Sequence, residues 1–212
     1  MSMRLTAVLA PVIALAILFS AVAMWYDTLK IHATIETGSV DVEFTGTPRV
    51  FEGEEYGKPW VANCSATLEE YVNEDEDNPS GNNDLELVIT VSNAYPCYYC
   101  KVSDVNVENT GTIPVKLNIT VYADGRTCVR KTDPWGQYYY ECDADGDGDL
   151  DLVLWGCFTS LEGVQLKPGD TISFTVDMHV EQGASEGDTY VVQILIKAIQ
   201  WNEYTSTNRT RG

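Results

Sequence analysis

Basic residues are scarce in this chain of 212 residues. It contains 13 lysines and arginines against 32 aspartates and glutamates, a formal net charge of −19 at pH 7. Because so acidic a surface repels phosphate groups, neither nucleic acid nor an anionic membrane is an expected partner. Histidine is scarcer still, with two residues, His32 and His179.

Recognisable catalytic motifs are also lacking. The chain has no H-E-x-x-H, no G-x-S-x-G and no phosphate-binding glycine loop. A glycosidase needs only two placed carboxylates, but nothing in the sequence singles out a pair among the 32 acids. We therefore expect a protein that is not an enzyme, and a secreted hydrolase is the weakest alternative.

The N-terminal sequence has the pattern of an export signal. Arg4 precedes an apolar run from Leu5 to Ala23, which ends in the small-x-small sequence Ala21-Val22-Ala23 that a signal peptidase cuts after. This predicts a signal peptide over residues 1–23 and an extracellular, secreted protein. The alternative is an uncleaved membrane anchor, because about 20 apolar residues span a bilayer; the membrane would then be contacted only through this leader.

The segment that follows, residues 24–36, alternates between apolar and polar residues. One side is formed by Leu29, Ile31, Ala33 and Ile35. The other side is polar and includes Lys30, His32 and Thr34, which is the period of a half-buried strand. Thr37-Gly38 breaks the run. We expect an extended strand over 24–36, joined by a glycine hinge to a β-sandwich domain over 37–212.

No later segment shows a sustained helical period, whereas short alternating segments recur. The predicted strands are Val40–Phe44, Leu85–Ser92, Val102–Glu108, Val115–Tyr122, a hairpin of Arg126–Lys131 with Gln137–Cys142, Thr171–Val180 and Tyr190–Trp201. This pattern predicts an all-β fold, a β-sandwich of jelly-roll or immunoglobulin-like type. Between the strands we expect a loop over Thr45–Pro59, one or two helical turns over Thr67–Val72 and a solvated acidic loop over Glu69–Asp84.

The cysteines form an even set in an apparently exported chain. They are Cys64, Cys97, Cys100, Cys128, Cys142 and Cys157. Export favours disulfides, with no free thiol expected. Cys128 and Cys142 flank the predicted hairpin and are the best single pair; the rest of the connectivity stays open. Cys97 and Cys100 also fit a zinc or redox C-x-x-C, although a zinc site would want a second nearby pair.

One short motif predicts a metal site. Its carboxylates are Asp143, Asp145, Asp147, Asp149 and Asp151. They fit D-x-D-x-D-G-x-x-D, the spacing of a calcium loop in which alternating carboxylates converge on a hard cation. Leu154 stands where an EF-hand carries its glutamate, so the loop is shorter than an EF-hand. We predict calcium as the cofactor, and the alternative is an acidic turn without an ion.

Two further patterns concern the surface of an exported protein. N-glycosylation sequons begin at Asn63, Asn118 and Asn208. The aromatic group Trp135, Tyr138, Tyr139 and Tyr140 is a candidate platform for stacking on sugars, with packing in the core or at an interface as the stronger expectation.

The order of several segments resembles the TasA/camelysin-like family and the related archaeal bundling-pilus and thread subunits. These segments are the leader, ATIETGSVDVEF, VNVENTGTIPVKLNITVY, LKPGDTISFTVDMHV and TYVVQILIKAIQWNEY. The resemblance implies a secreted jelly-roll subunit that polymerises head-to-tail by donor-strand complementation, so that its partner is another copy of itself.

The expected function is therefore a structural subunit of an extracellular filament or pilus, stabilised by calcium and disulfides. The donated strand would present Leu29, Ile31, Ala33 and Ile35 to a groove in the neighbouring copy. The alternative is a membrane-anchored, calcium-dependent adhesion or carbohydrate-binding domain.

Overall fold

The computed structural model describes residues 38–53, 61–69 and 86–202. In chain order the strands are β1 (Glu43–Gly53), β2 (Asn63–Glu69), β3 (Glu86–Ser92), β4 (Tyr99–Glu108), β5 (Val115–Ala123), β6 (Arg126–Thr127), β7 (Val129–Thr132), β8 (Tyr138–Cys142), β9 (Leu152–Gly156), β10 (Gln165–Leu166), β11 (Thr171–Val180) and β12 (Tyr190–Gln200). One short helix, α1 (Phe158–Leu161), lies between β9 and β10. The predicted signal peptide, its cleavage site, the donor strand and Asn208 lie outside the described residues.

The strands form two antiparallel sheets that pack as a sandwich, which confirms the predicted all-β class. Sheet A has the order β1-β4-β11-β9-β8-β7. Sheet B has the order β10-β5-β12-β3-β2, and β6 pairs with β5 outside this path. Within the described residues, β1 and β2 are therefore the edge strands on one side of the two sheets. No helix in this part of the chain is long and apolar enough to cross a membrane.

Strict alternation explains why these segments are strands. Along β5, every odd-numbered residue from Val115 to Ala123 is buried and every even-numbered residue is partly exposed. The same period runs through most of β11 and β12. Because side chains of a strand point alternately to its two faces, one set of apolar residues from each sheet meets in the middle.

Aromatic rings join the inner face of sheet A to the helix. The Phe44 and Phe174 ring centroids are 5.9 Å apart, and Phe158 of α1 lies 5.7 Å from Phe174 and 4.8 Å from Tyr140. Tyr140 is therefore a core residue, with 4% of its surface exposed. For Tyr140 this confirms the stronger expectation of packing in the core and excludes the alternative of a sugar-stacking residue.

Two predictions at the sheet edges are wrong for the residues that the structure describes, Thr45–Gly53 and Thr67–Glu69. The predicted loop over Thr45–Pro59 is a strand as far as Gly53, with a register shift between Gly46 and Arg49. A bulge at an edge strand accommodates the glycine and the proline that suggested a loop. The predicted helical turns over Thr67–Val72 begin inside β2, where Cys64, Ala66 and Leu68 face inward and alternate with more exposed polar residues.

Two disulfides are formed. Cys128–Cys142, the predicted pair, joins the residue before β7 to the last residue of β8 with a Cα–Cα distance of 4.5 Å. Cys64–Cys100 links β2 of sheet B to β4 of sheet A across the core, with a Cα–Cα distance of 6.3 Å. The sequence left this second, non-local pairing open.

The prediction that all six cysteines pair is wrong for Cys97 and Cys157, which are free. The amide of Cys97 donates to the carbonyl of Val180, and that of Cys157 donates to the carbonyl of Thr175. These two carbonyls belong to β11, and five residues of strand span about 17 Å. Because a disulfide needs Cα atoms within about 7 Å, the two thiols do not pair within one chain.

The turn before β5 (residues 109–114) and the turn before β11 (residues 167–170) contact each other. The side chain of Asn109, fully buried, donates to the carbonyls of Ile113 and Leu166, both at 3.0 Å, and accepts from the amide of Gly111. Its backbone carbonyl accepts from the amide of Gly169 at 2.8 Å. The turn before β5 and the turn before β11 therefore form one hydrogen-bonded unit.

Gly111 brings the start of the described chain into this unit. A Cβ atom there would lie 2.6 Å from the carbonyl oxygen of Ser39 and 2.7 Å from the amide nitrogen of Asp41. The amides of Gly111 and Thr112 donate to the carbonyls of Asp41 and Ser39. A glycine is thus required for the close approach of residues 39–41.

Candidate metal site and acceptor edge

The aspartate loop connects β8 to β9. Gly146 and Gly148 have φ angles of +82° and +98°, in the left-handed region that glycine adopts without strain. Asp143 accepts hydrogen bonds from the amides of both glycines, at 2.6 Å and 3.1 Å. These bonds curl the loop around the carboxylate of Asp143.

Three of the five predicted ligands converge. One carboxylate oxygen from each of Asp143, Asp145 and Asp151 lies within 4.8 Å of the others. Asp147 and Asp149 are exposed and do not join this group. The sequence spacing did not show which aspartates meet, because that depends on the turn at each glycine.

Asp151 is the buried member of this group, with 0% of its surface exposed. Its Oδ2 atom accepts from the amides of Ala144 at 2.6 Å and Asp145 at 3.3 Å, whereas Oδ1 has no hydrogen-bond partner. Burial raises the pKa of this carboxyl; the two amide bonds oppose the rise, and the charges of Asp145 and Asp147 add to it. Both charge and burial thus disfavour an uncompensated carboxylate here.

The main chain at Asp151 joins the loop to its neighbours. Its amide donates to the carbonyl of Cys142 at 3.0 Å, and its carbonyl accepts from the amide of Glu181 at 2.7 Å. The carbonyl of Leu150 accepts from the amide of Gly183 at 3.2 Å. The aspartate loop is therefore held between the disulfide-closed hairpin and the turn that connects β11 to β12.

The outer edge of β2 is a second candidate site. The amide of Cys64 donates to the carboxylate of Glu52 on β1, so this peptide group points away from β3. Because peptide directions alternate along an antiparallel pair, the amides and carbonyls of Ala66 and Leu68 point to the same open side. Among the described residues no strand pairs with this side of β2.

The inner face beside this edge is apolar and incompletely covered. Val50 of β1, Ala66 and Leu68 pack against the core but remain partly exposed. Glu52, which sequence reasoning did not single out, also accepts a hydrogen bond from Tyr98 at 2.6 Å. Nothing in the local sequence distinguishes this glutamate, since its partners come from β2 and from the start of β4.

The outer face of sheet A carries exposed aromatic residues among ion pairs. Trp155 of β9 is 42% exposed and lies opposite Asp177, with its ring centroid 6.3 Å from that of His179. Lys101 pairs with Asp177 at 3.6 Å, and Tyr99 donates to the same carboxylate. Of the predicted platform, Trp135 is 83% exposed at the tip of the hairpin, and Tyr138 packs partly against the core beneath Arg130.

The two described sequons lie on the outer face of sheet B. Asn63 is exposed on β2, with Cys64 between it and Ser65 engaged in the disulfide. Asn118 is partly exposed on β5, between the buried Leu117 and Ile119. Both side chains therefore point away from the core, as glycosylation requires. Occupancy of the sequons stays a prediction.

His179, the described histidine, hydrogen-bonds the carboxylate of Glu181 through Nδ1 at 2.9 Å.

No family model matches this chain, and no curated protein or solved structure with which it was compared matches it either. The resemblance to filament subunits therefore rests on the residues quoted for it.

Proposed function

We propose that this protein is a secreted structural subunit of an extracellular filament, and that residues 24–36 of one copy add as a strand to the outer edge of β2 in the next. The observation that carries the proposal is the open edge at Ala66 and Leu68, whose peptide groups point outward beside a partly exposed apolar core. Main-chain hydrogen bonds along an added strand supply affinity, and side-chain pockets set its register.

The edge strands differ in a way that favours β2 as the acceptor. β1 contains a register shift, a proline and Arg49, which are devices that protect sheet edges from pairing. β2 pairs with β3 in continuous register over all seven residues and contains no proline, lysine or arginine. A regular edge of this kind is a template for another strand.

The segment proposed as the donor matches such an edge in pattern. Leu29, Ile31, Ala33 and Ile35 would face the apolar side, and a slip by one residue would turn Lys30 and His32 inward instead. Contacts of this head-to-tail kind do not close on themselves, so they extend into a fibre. The two disulfides are compatible with an extracellular protein. A structural rather than an enzymatic role is part of the proposal.

The test compares two substitutions that add the same charge on opposite sides of the donor segment. Ile31→Asp should abolish fibres seen by electron microscopy, because an unpaired charge would enter the apolar groove at a cost of several (~2–7) kcal/mol. Thr34→Asp, on the polar side, should leave them intact.

A third variant tests the acceptor. Ala66→Pro removes an outward-pointing amide and leaves the β2–β3 ladder intact, so it should stop assembly without a large change in melting temperature. Thr67→Ala serves as its control. Normal fibres from both Ile31→Asp and Ala66→Pro would refute strand donation to β2.

The outer face of sheet A favours a second candidate function, carbohydrate binding. The ring of Trp155 offers an apolar surface for the C–H groups of a sugar, and its neighbours Asp177, Lys101 and His179 offer hydrogen-bonding groups. Centres of protein–protein interfaces are depleted in charged residues, which makes this charge-rich face a poor match for one. Trp155→Ala should lose binding to insoluble cellulose or chitin, and Trp201→Ala should retain it. Absence of binding by the parent protein would exclude this candidate.

A further inference from the structure

The aspartate loop contains a buried side-chain oxygen that has no hydrogen-bond partner. Among the described residues it is the only buried side-chain nitrogen or oxygen of this kind. This atom, Oδ1 of Asp151, belongs to a fully buried carboxylate that is directed into the group formed with Asp143 and Asp145. Leaving a charged acceptor buried and unsatisfied is costly, so proteins pair such groups with a donor or a cation.

Among the described residues, no basic side chain forms an ion pair with these carboxylates. No ion pair within 4.0 Å involves any of the three aspartates. The nearby Arg126 instead packs its guanidinium on the backbone of Gly146, where a Cβ atom would lie 2.3 Å from its Cζ. Among the described residues, the three carboxylates therefore have no ion-pair partner.

We propose that Asp143, Asp145 and Asp151 bind one calcium ion, with Asp151 as its buried anchoring ligand. The group offers only carboxylate oxygens, which suit a hard cation. One carboxylate oxygen of each aspartate lies within 4.8 Å of the other two, so a single cation can contact all three. Calcium accepts several carboxylate ligands in flexible geometry, whereas magnesium demands near-ideal octahedral geometry and usually keeps several waters.

The ion would secure two loops rather than one. The carbonyls of Asp151 and Leu150 accept hydrogen bonds from the amides of Glu181 and Gly183. Fixing Asp151 therefore also fixes the turn between β11 and β12. Calcium should therefore slow hydrogen exchange at Glu181 and Gly183 as well as within the aspartate loop. This inference does not depend on strand donation.

The experiment titrates the full-length protein, freed of metal with chelator, with calcium chloride and magnesium chloride in a calorimeter. Asp151→Asn should weaken calcium binding by about 100-fold or more, because even partners of metal ligands are worth about 10–100-fold. Asp149→Asn removes the same charge from the same loop but outside the group, and should change affinity by less than about tenfold. Asp145→Asn, at an exposed member of the group, serves as a second loss variant.

Thermal melts separate loss of binding from loss of folding. Without calcium, Asp151→Asn should melt at or above the temperature of the parent protein, since it removes a buried charge; with calcium it should show no further rise. No heat of calcium binding to the parent protein at millimolar calcium would overturn the proposal. Equal losses from Asp149→Asn and Asp151→Asn would overturn the assignment of ligands.

Discussion

Replacing Asn109 should destabilise the sandwich more than replacing any exposed asparagine. Its buried amide donates to the carbonyls of Ile113 and Leu166, and its Oδ1 accepts from the amide of Gly111. Each such bond contributes about 0.5–1.5 kcal/mol net, and a buried partner left unsatisfied costs about 1–3 kcal/mol. Asn109→Ala should thus lower the free energy of unfolding by about 3–5 kcal/mol.

Asn109→Asp should be at least as damaging at neutral pH. It keeps the shape of the side chain but places a charged oxygen against the carbonyls of Ile113 and Leu166, where the amide had donated. With a shift of about 2–4 °C per kcal/mol for a domain of this size, either variant should melt about 6–20 °C lower. A loss of about 3–5 kcal/mol is a large part of the free energy of unfolding of a typical domain, which is about 5–15 kcal/mol.

The assay is denaturant unfolding followed by tryptophan fluorescence, with Asn106→Ala as the control. The side chain of Asn106 accepts an exposed hydrogen bond from the hydroxyl of Ser173, so its loss should cost less than about 1 kcal/mol. If Asn109→Ala and Asn106→Ala unfold at the same denaturant concentration, the hydrogen-bonded unit of the two turns contributes nothing and the reasoning fails.

Three further predictions concern the cysteines and a tyrosine. Thiol titration of the denatured, unreduced protein should find the two free thiols of Cys97 and Cys157; a value near zero would contradict this assignment. Replacing Cys128 and Cys142 together by serine should cost about 3 kcal/mol, the loop-closure value for a separation of 14 residues, and an unchanged melting temperature would contradict this. Burial, and next to it the hydrogen bond to Asp177 on β11, raises the pKa of Tyr99 to about 12. The neutral Tyr99 hydroxyl therefore contributes its full stabilisation below about pH 10, the ordinary pKa of tyrosine, and this stabilisation is lost as the pH rises through about 12. Tyr99→Phe should therefore show a weaker loss of stability over that range, and identical pH profiles would argue against the shift.

The strands that the sequence predicted best are those buried on one face. β5 and β11 alternate without interruption, and their predicted positions agree with the structure to within one residue. β2 was missed because its inward residues, Cys64, Ala66 and Leu68, are small or isolated in an otherwise polar segment. At an edge strand the apolar signal is weak, since less of each inward side chain is covered by the opposite sheet.

The same distinction between local and non-local information applies to the sites. The Cys128–Cys142 bridge was predicted because both residues flank one hairpin, whereas Cys64–Cys100 joins strands from different sheets. The aspartate spacing indicated a metal loop, but the burial of Asp151 depends on contacts with Cys142 and Glu181. Contacts between residues that are close in the sequence could be predicted from it. Contacts that depend on packing between the two sheets could not.

The proposed donor is long enough to cover its acceptor completely. Residues 24–36 are thirteen residues, which span about 43 Å when extended. β2 has seven residues, about 23 Å in length. A donated strand that covers β2 completely therefore retains about 20 Å to bridge two subunits. Residues 39–41, which follow this segment in the chain, are held by contacts with Gly111 and Thr112. Inserting two residues after Gly38 should lengthen the bridge by about 7 Å and change the axial repeat of the fibre, while leaving the pairing itself intact. An unchanged repeat would mean that the bridge is slack and that other contacts between subunits set the spacing.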